Sequence, residues 1–134
     1  MISFASTLYL LPVLDLLLAE VPHPWRPQLR LGLQEALVNA ARHGNKLDPR
    51  KQVHVSFWSR RYEFWWAIAD QGSDQSTILS TLLSTCEDSC TRDRECGRGL
   101  FIVQQVFDEV DWDGATHTLT LGKRIRSFQK PLIE

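Results

Sequence analysis

Two strand-like runs, VHVSFW at 53–58 and YEFWWAIA at 62–69, stand three residues apart. A connection that short makes the chain double back, so the runs pair as an antiparallel hairpin around Ser59, Arg60 and Arg61. The segments on either side must then add to a mainly antiparallel sheet. Ile2 to Ser6 suits a short first strand, and the apolar stretch from Leu10 to Leu18 a helix starting near Pro12. A second helix is predicted from about Pro27 to His43, with Leu29, Leu33, Leu37 and Ala40 as its apolar stripe. It should stop at Gly44, the residue type that best tolerates a left-handed helix end. From Gly99, LFIVQQVFDEV predicts a helix that buries Val103, Val106 and Phe107, and closing strands follow at about Glu109 to Trp112 and Thr116 to Lys123. This order predicts an α+β fold: a two-layer sandwich with helices on one face of the sheet. The other face is left partly bare. Strand alternation separates Val53, Val55 and Phe57 from His54, Ser56 and Trp58, and Phe64, Trp66 and Ile68 from Glu63 and Trp65. Trp58 and Trp65 are thereby expected on the open face, as part of a homodimer or partner surface.

The 134 residues suffice for one domain, 1–134, with its own core. Lys plus Arg number 15 against 16 Asp plus Glu, a balance that speaks against direct nucleic-acid binding. Three cysteines, an odd number, read as reduced thiols of a cytoplasmic protein. The N-terminal run LYLLPVLDLLL lacks a preceding basic residue and is broken by Pro12 and Asp15. It is also short of the roughly 20 apolar residues that cross a bilayer, so no membrane association is expected. Between Gln71 and Cys96 the composition turns to Ser, Thr, Asp and Glu, which predicts a long loop; a mobile lid at about 73–96 is the expectation.

Three patches can carry chemistry. In EALVNAARHG at 35–44, Glu35 and Asn39 are four residues apart and share one side of a helix, with Gly32 beside them leaving space for a ligand. A carboxylate and a carboxamide together suit magnesium, and a carboxylate can also take a proton from an attacking hydroxyl. A solvated helix face would show the same pair. In AIADQGS, Asp70 ends a strand and could accept from an exocyclic amine, while Gly72 lets the chain turn close to a ligand; a plain turn reads the same way. In CGRGLFIV, Gly97 and Gly99 precede an apolar helix and could free amides for phosphate, as could any helix-entry loop.

In this order and at these intervals the patches resemble the N, G1 and G2 boxes of the GHKL ATPase superfamily, which includes histidine kinases and gyrase, over nearly the whole chain. The small size, EALVNAARHG and the ending GRGLFIVQQVFDEV look most like the anti-sigma factor serine kinases. The resemblance implies a Bergerat ATP-binding fold that uses ATP and Mg2+. It also implies capture of a sigma factor, and inactivation of a STAS-domain antagonist by phosphorylation on serine. By the same resemblance Asn39 is the magnesium ligand, Glu35 the general base, Asp70 the partner of the adenine amine, Gly72 part of the nucleotide floor, and Gly97 and Gly99 phosphate contacts. Thr118 would bring a hydroxyl near the adenine, although the local pattern is ATHT where the family usually shows Gly-Thr. Asp74 stands where the first glycine box usually has a second glycine.

Other residues read as structural. Cys86, Cys90 and Cys96 have spacings of four and six without a nearby histidine, which does not make a zinc site. His43 suits the closing of a helix end, and Arg98 suits either phosphate or solvent. Lys123, Arg124, Arg126 and Lys130 read as a solubilising tail. The leading expectation is the serine kinase. A binding module that uses ATP only to set its shape is the runner-up, and a separated histidine-kinase ATPase domain comes third.

Overall fold

The computed structural model describes residues 1–72, 94–126 and 130–132, the side chains of 94–98 excepted. Five antiparallel strands form one sheet: β1 (Ile2–Ala5), β2 (Gln52–Arg60), β3 (Glu63–Ala69), β4 (Glu109–Asp113) and β5 (Thr118–Arg124), in the order β1-β2-β3-β5-β4. The helices are α1 (Leu11–Leu17), α2 (Arg26–Asn39) and α3 (Arg94–Val106). They cover one sheet face, which is the predicted α+β arrangement. Leu14 and Leu17 of α1, Leu29, Leu33 and Leu37 of α2 and Val103 and Val106 of α3 share a core with Val53, Val55, Trp66, Ile68, Leu119 and Leu121 from the sheet.

Trp66 sits in the middle of this core. Its ring is fully buried between Phe57 at 5.8 Å and Phe107 at 5.7 Å, and its indole nitrogen donates to the Leu17 carbonyl at 3.3 Å. One bond thus ties the central strand to α1 without leaving a buried donor unpaired. The hairpin pairs Arg60 with Glu63, so its turn is two residues, Arg61 and Tyr62, with Tyr62 at φ 62°. This is one residue tighter than the run lengths imply.

On the uncovered face Trp58 and Trp65 are cross-strand partners stacked 6.3 Å apart, their planes within 5°. Trp58 remains 41% exposed, and Trp65 lies over Gly122, where a Cβ would meet its ring at 2.5 Å. The described C-terminal residues turn to the helical side instead, where the Leu132 amide donates to buried Gln28 at 2.6 Å.

Several local expectations change. Lys123 is not part of a solvated tail: it is buried in β5, 3.4 Å from Asp108 and 5.0 Å above the Trp25 ring. Arg124 pairs with Glu63 at 3.2 Å. Gly32 holds no ligand space, because a Cβ there would run into Val106 and Phe107 at 2.7 Å; it lets α3 pack tightly on α2. The α2 helix runs on as a π-turn, Ala40–Gly44, closed by the Asn45 amide on the Ala40 carbonyl at 2.9 Å. Its left-handed residues are Lys46 and Leu47, at φ 54° and 56°, and Gly44 is not left-handed. Finally, α3 begins at Arg94, so Gly97 and Gly99 lie inside the helix rather than ahead of it. The expected lid at about 73–96 lies outside the described residues except where its end joins α3, and Asp74, Cys86 and Cys90 lie outside them altogether.

Candidate functional site

The site forms where the end of α2 meets α3 on one side and the end of β3 on the other. Helical spacing sets Glu35 and Asn39 one turn apart on α2. Both face Gly99 of α3: a Cβ at that glycine would stand 2.9 Å from Glu35 Oε2 and 3.7 Å from the Asn39 carboxamide. Placing a glycine inside a helix costs about 1 kcal/mol relative to alanine. Here the missing side chain makes room for Glu35 Oε2, which a Cβ would crowd. Asn39 is 9% exposed, and its Nδ2 is buried without a hydrogen-bond partner among the described residues. Buried polar groups are nearly always paired, so an amide left unpaired among the described residues, one turn from a carboxylate, suits an external ligand. Turning the carboxamide over puts its oxygen in the same place. Asn39 therefore fits a magnesium ion that keeps its waters and phosphate oxygens as its other ligands, with the Glu35 carboxylate beside it. Among the described residues there is no cluster of three or more His, Cys, Asp or Glu that could hold a metal without such help.

The second half of the site is the Asp70 corner. Asp70 Oδ1 accepts from the Gly72 amide at 2.8 Å, and the Asp70 amide donates to the His117 carbonyl at 3.1 Å. The carboxylate is packed so closely on Gly44 that a Cβ there would overlap its carboxyl carbon. At Gly72 a Cβ would meet the Gly44 carbonyl. Gly44 is thus a glycine because of Asp70, a residue 26 positions later in the chain. Gly44→Ala is expected to push the Asp70 carboxylate away and break its bond to Gly72, destabilising the protein by about 1–3 kcal/mol in urea denaturation. An unchanged unfolding midpoint would refute that packing.

Asn45 holds this corner in place and is not apparent from the sequence, because its partners come from three distant segments. It is fully buried; its Nδ2 donates to Ser6 Oγ and to the Gln52 carbonyl, both at 2.9 Å, and its Oδ1 accepts from the Gln71 amide at 2.6 Å. The π-turn, β1, β2 and the Asp70–Gly72 turn are thereby joined through one side chain whose polar atoms are all used.

Thr118 does not face Asp70. It is paired with Ala69, its neighbours Leu119 and Leu121 point into the core, and its own hydroxyl donates to the Thr116 carbonyl at 3.2 Å. The side chain that does meet Asp70 is His117, whose Nδ1 lies 3.2 Å from Oδ1. Gly97 lies in the first turns of α3, away from the loop position read from the sequence.

Burial raises the Asp70 pKa above its ordinary 3.8, against the Gly72 amide and His117, which lower it. The folded protein then binds this proton more tightly than the unfolded chain does, so the charged carboxylate costs stability once pH rises through the folded value. Asp70→Asn should therefore melt higher than wild type at neutral pH, and the gain should vanish as pH falls below 3.8. A variant less stable at neutral pH would reverse the sign.

Comparison with known proteins gives the family. No curated protein matches the chain. The family described as the histidine kinase-like ATPase domain matches it over residues 15–123, a span that includes Glu35, Asn39, Asp70, Gly72, Gly97, Gly99 and Thr118. With the acid and amide of α2 set against a helical glycine, and a buried aspartate at the end of a central strand, the chain belongs to the histidine kinase-like ATPase domain family.

Proposed function

We propose that this member of the family is an ATP-dependent protein-serine kinase and anti-sigma regulatory factor that phosphorylates a STAS-domain antagonist and captures a sigma factor. The observation that carries the reading is the half-buried Glu35 one turn before the orphaned Asn39 amide, both beside Gly99. The motifs shared with the anti-sigma kinases supply the choice of serine and of protein partners.

In this mechanism Asp70 accepts the adenine amine, and Gly72, which has no room for a side chain against Gly44, forms the floor under the base. Asn39 would hold magnesium, whose charge offsets that of the phosphates. Glu35 takes the proton of the serine hydroxyl as its oxygen bonds to the γ-phosphorus, and the bond to ADP breaks. Gly99 leaves the acid unobstructed. The stacked Trp58–Trp65 pair on the uncovered sheet face offers a flat aromatic surface for a second copy or a protein partner.

The deciding experiment incubates the protein with magnesium, ATP and a panel of STAS-domain proteins, reads phosphoserine by mass spectrometry, and measures ATP binding by calorimetry beside it. Phosphoserine on a STAS protein supports the kinase. ATP binding without transfer to any of them favours a regulatory module that works by sequestration alone. If the folded protein binds no ATP, the nucleotide reading is wrong.

A further inference from the structure

A tight turn, residues 114–117, joins β4 to β5, and its last residue is His117 at φ 51°. That conformation is unfavourable for a residue with a side chain, and a histidine tolerates it better than most. It delivers the imidazole to Asp70. Nδ1 lies 3.2 Å from Oδ1, with the two side chains only 14% and 6% exposed, and the ring stands edge-on to Trp112 at 5.8 Å. A carboxylate so enclosed has few free acceptor directions. Oδ1 already accepts from the Gly72 amide, and the Gly44 backbone closes off the Oδ2 side. Among the described residues, the side chain that takes up the remaining approach is His117.

We propose that His117 is a built-in competitor for the base. Its ring N–H donates to the same Asp70 oxygen that the exocyclic amine of an aminopurine would use, so imidazole and base exclude one another there. The inference rests on the reading of Asp70 as the base acceptor and adds a specificity-determining residue to it. A ligand must then displace an internal hydrogen bond to a charged group, and this lowers its apparent affinity by the worth of that bond. Ligands without an amine at that position gain nothing from displacing the ring, so His117 also sharpens the choice of base.

Two variants separate the effects. His117→Gly removes the ring and suits the left-handed backbone; His117→Asn tolerates the same φ and keeps a donor nitrogen as far from the backbone as Nδ1. In calorimetry with magnesium and ATP, His117→Gly should bind roughly tenfold tighter than wild type, while His117→Asn should stay within about threefold of it. ATP binding by His117→Gly but not by wild type would support the competitor more strongly still. Equal or weaker binding by His117→Gly at an unchanged melting temperature overturns the proposal with the ATP reading intact. Tighter binding by both variants overturns the hydrogen bond as the competing element. If neither wild type nor variant binds ATP, the reading of the site fails and the competitor fails with it. Should His117→Gly fold poorly, wild type gives the answer by NMR: the His117 ring signals, assigned by their loss in His117→Asn, should move on saturation with magnesium and ATP. Signals that stay in place would refute the displacement.

Discussion

Glu35→Gln should phosphorylate its protein substrate roughly 100- to 10,000-fold more slowly than wild type, with ATP affinity nearly unchanged. A serine hydroxyl is a weak nucleophile at neutral pH, and its proton needs an acceptor as the bond to phosphorus forms. Glu35 stands one turn from Asn39 with Oε2 against Gly99, which in the proposed mechanism places a carboxylate beside the phosphates. Glutamine keeps the shape and hydrogen-bonding reach of the side chain but cannot take up the proton. In the proposed mechanism nucleotide binding depends on Asp70 and Asn39, which the change leaves alone. Initial rates of phosphoserine formation, with calorimetry on the same preparations, check both halves. Equal rates for the two proteins would remove Glu35 from the role of base, and a parallel loss of ATP binding would make it a structural residue of the pocket.

The same comparison of roles explains which features could be read before the structure. Hairpin, sheet class and core face follow from two-residue alternation, a local pattern, and Trp66 and Ile68 point where that pattern sends them. Glu35 and Asn39 are legible together because both lie on one helix. Features that depend on contacts far apart in the chain are not legible in this way. Gly44 looks like a helix stop, yet its reason is the Asp70 carboxylate, and Gly32 looks like ligand space, yet Val106 and Phe107 fill it. Asn45 takes its meaning from Ser6, Gln52 and Gln71. At the start of β5, strand parity decides between neighbours: a one-residue step sends Thr118 to the uncovered face and leaves His117 at the Asp70 corner. Lys123 reads as a tail charge until the strand turns it onto Trp25.

Asn39→Ala should abolish most of the difference between ATP affinity measured with magnesium and with EDTA, a loss on the order of tenfold to a hundredfold with the metal present. The unpaired Nδ2 makes this a clean test of function against folding. A carboxamide that served the fold would carry hydrogen bonds to its surroundings, and its truncation would lower stability by about 1–3 kcal/mol. Among the described residues the amide nitrogen has no such partner, so alanine removes an uncompensated buried donor and should leave the melting temperature unchanged or higher. Function and stability are then expected to move in opposite directions, as happens where a side chain is kept for a ligand at the expense of the fold. A variant that retains the full magnesium effect would show that Asn39 is not the ligand. One that loses stability along with affinity would show that the amide has a partner within the protein, and that its place beside Gly99 is packing rather than a site.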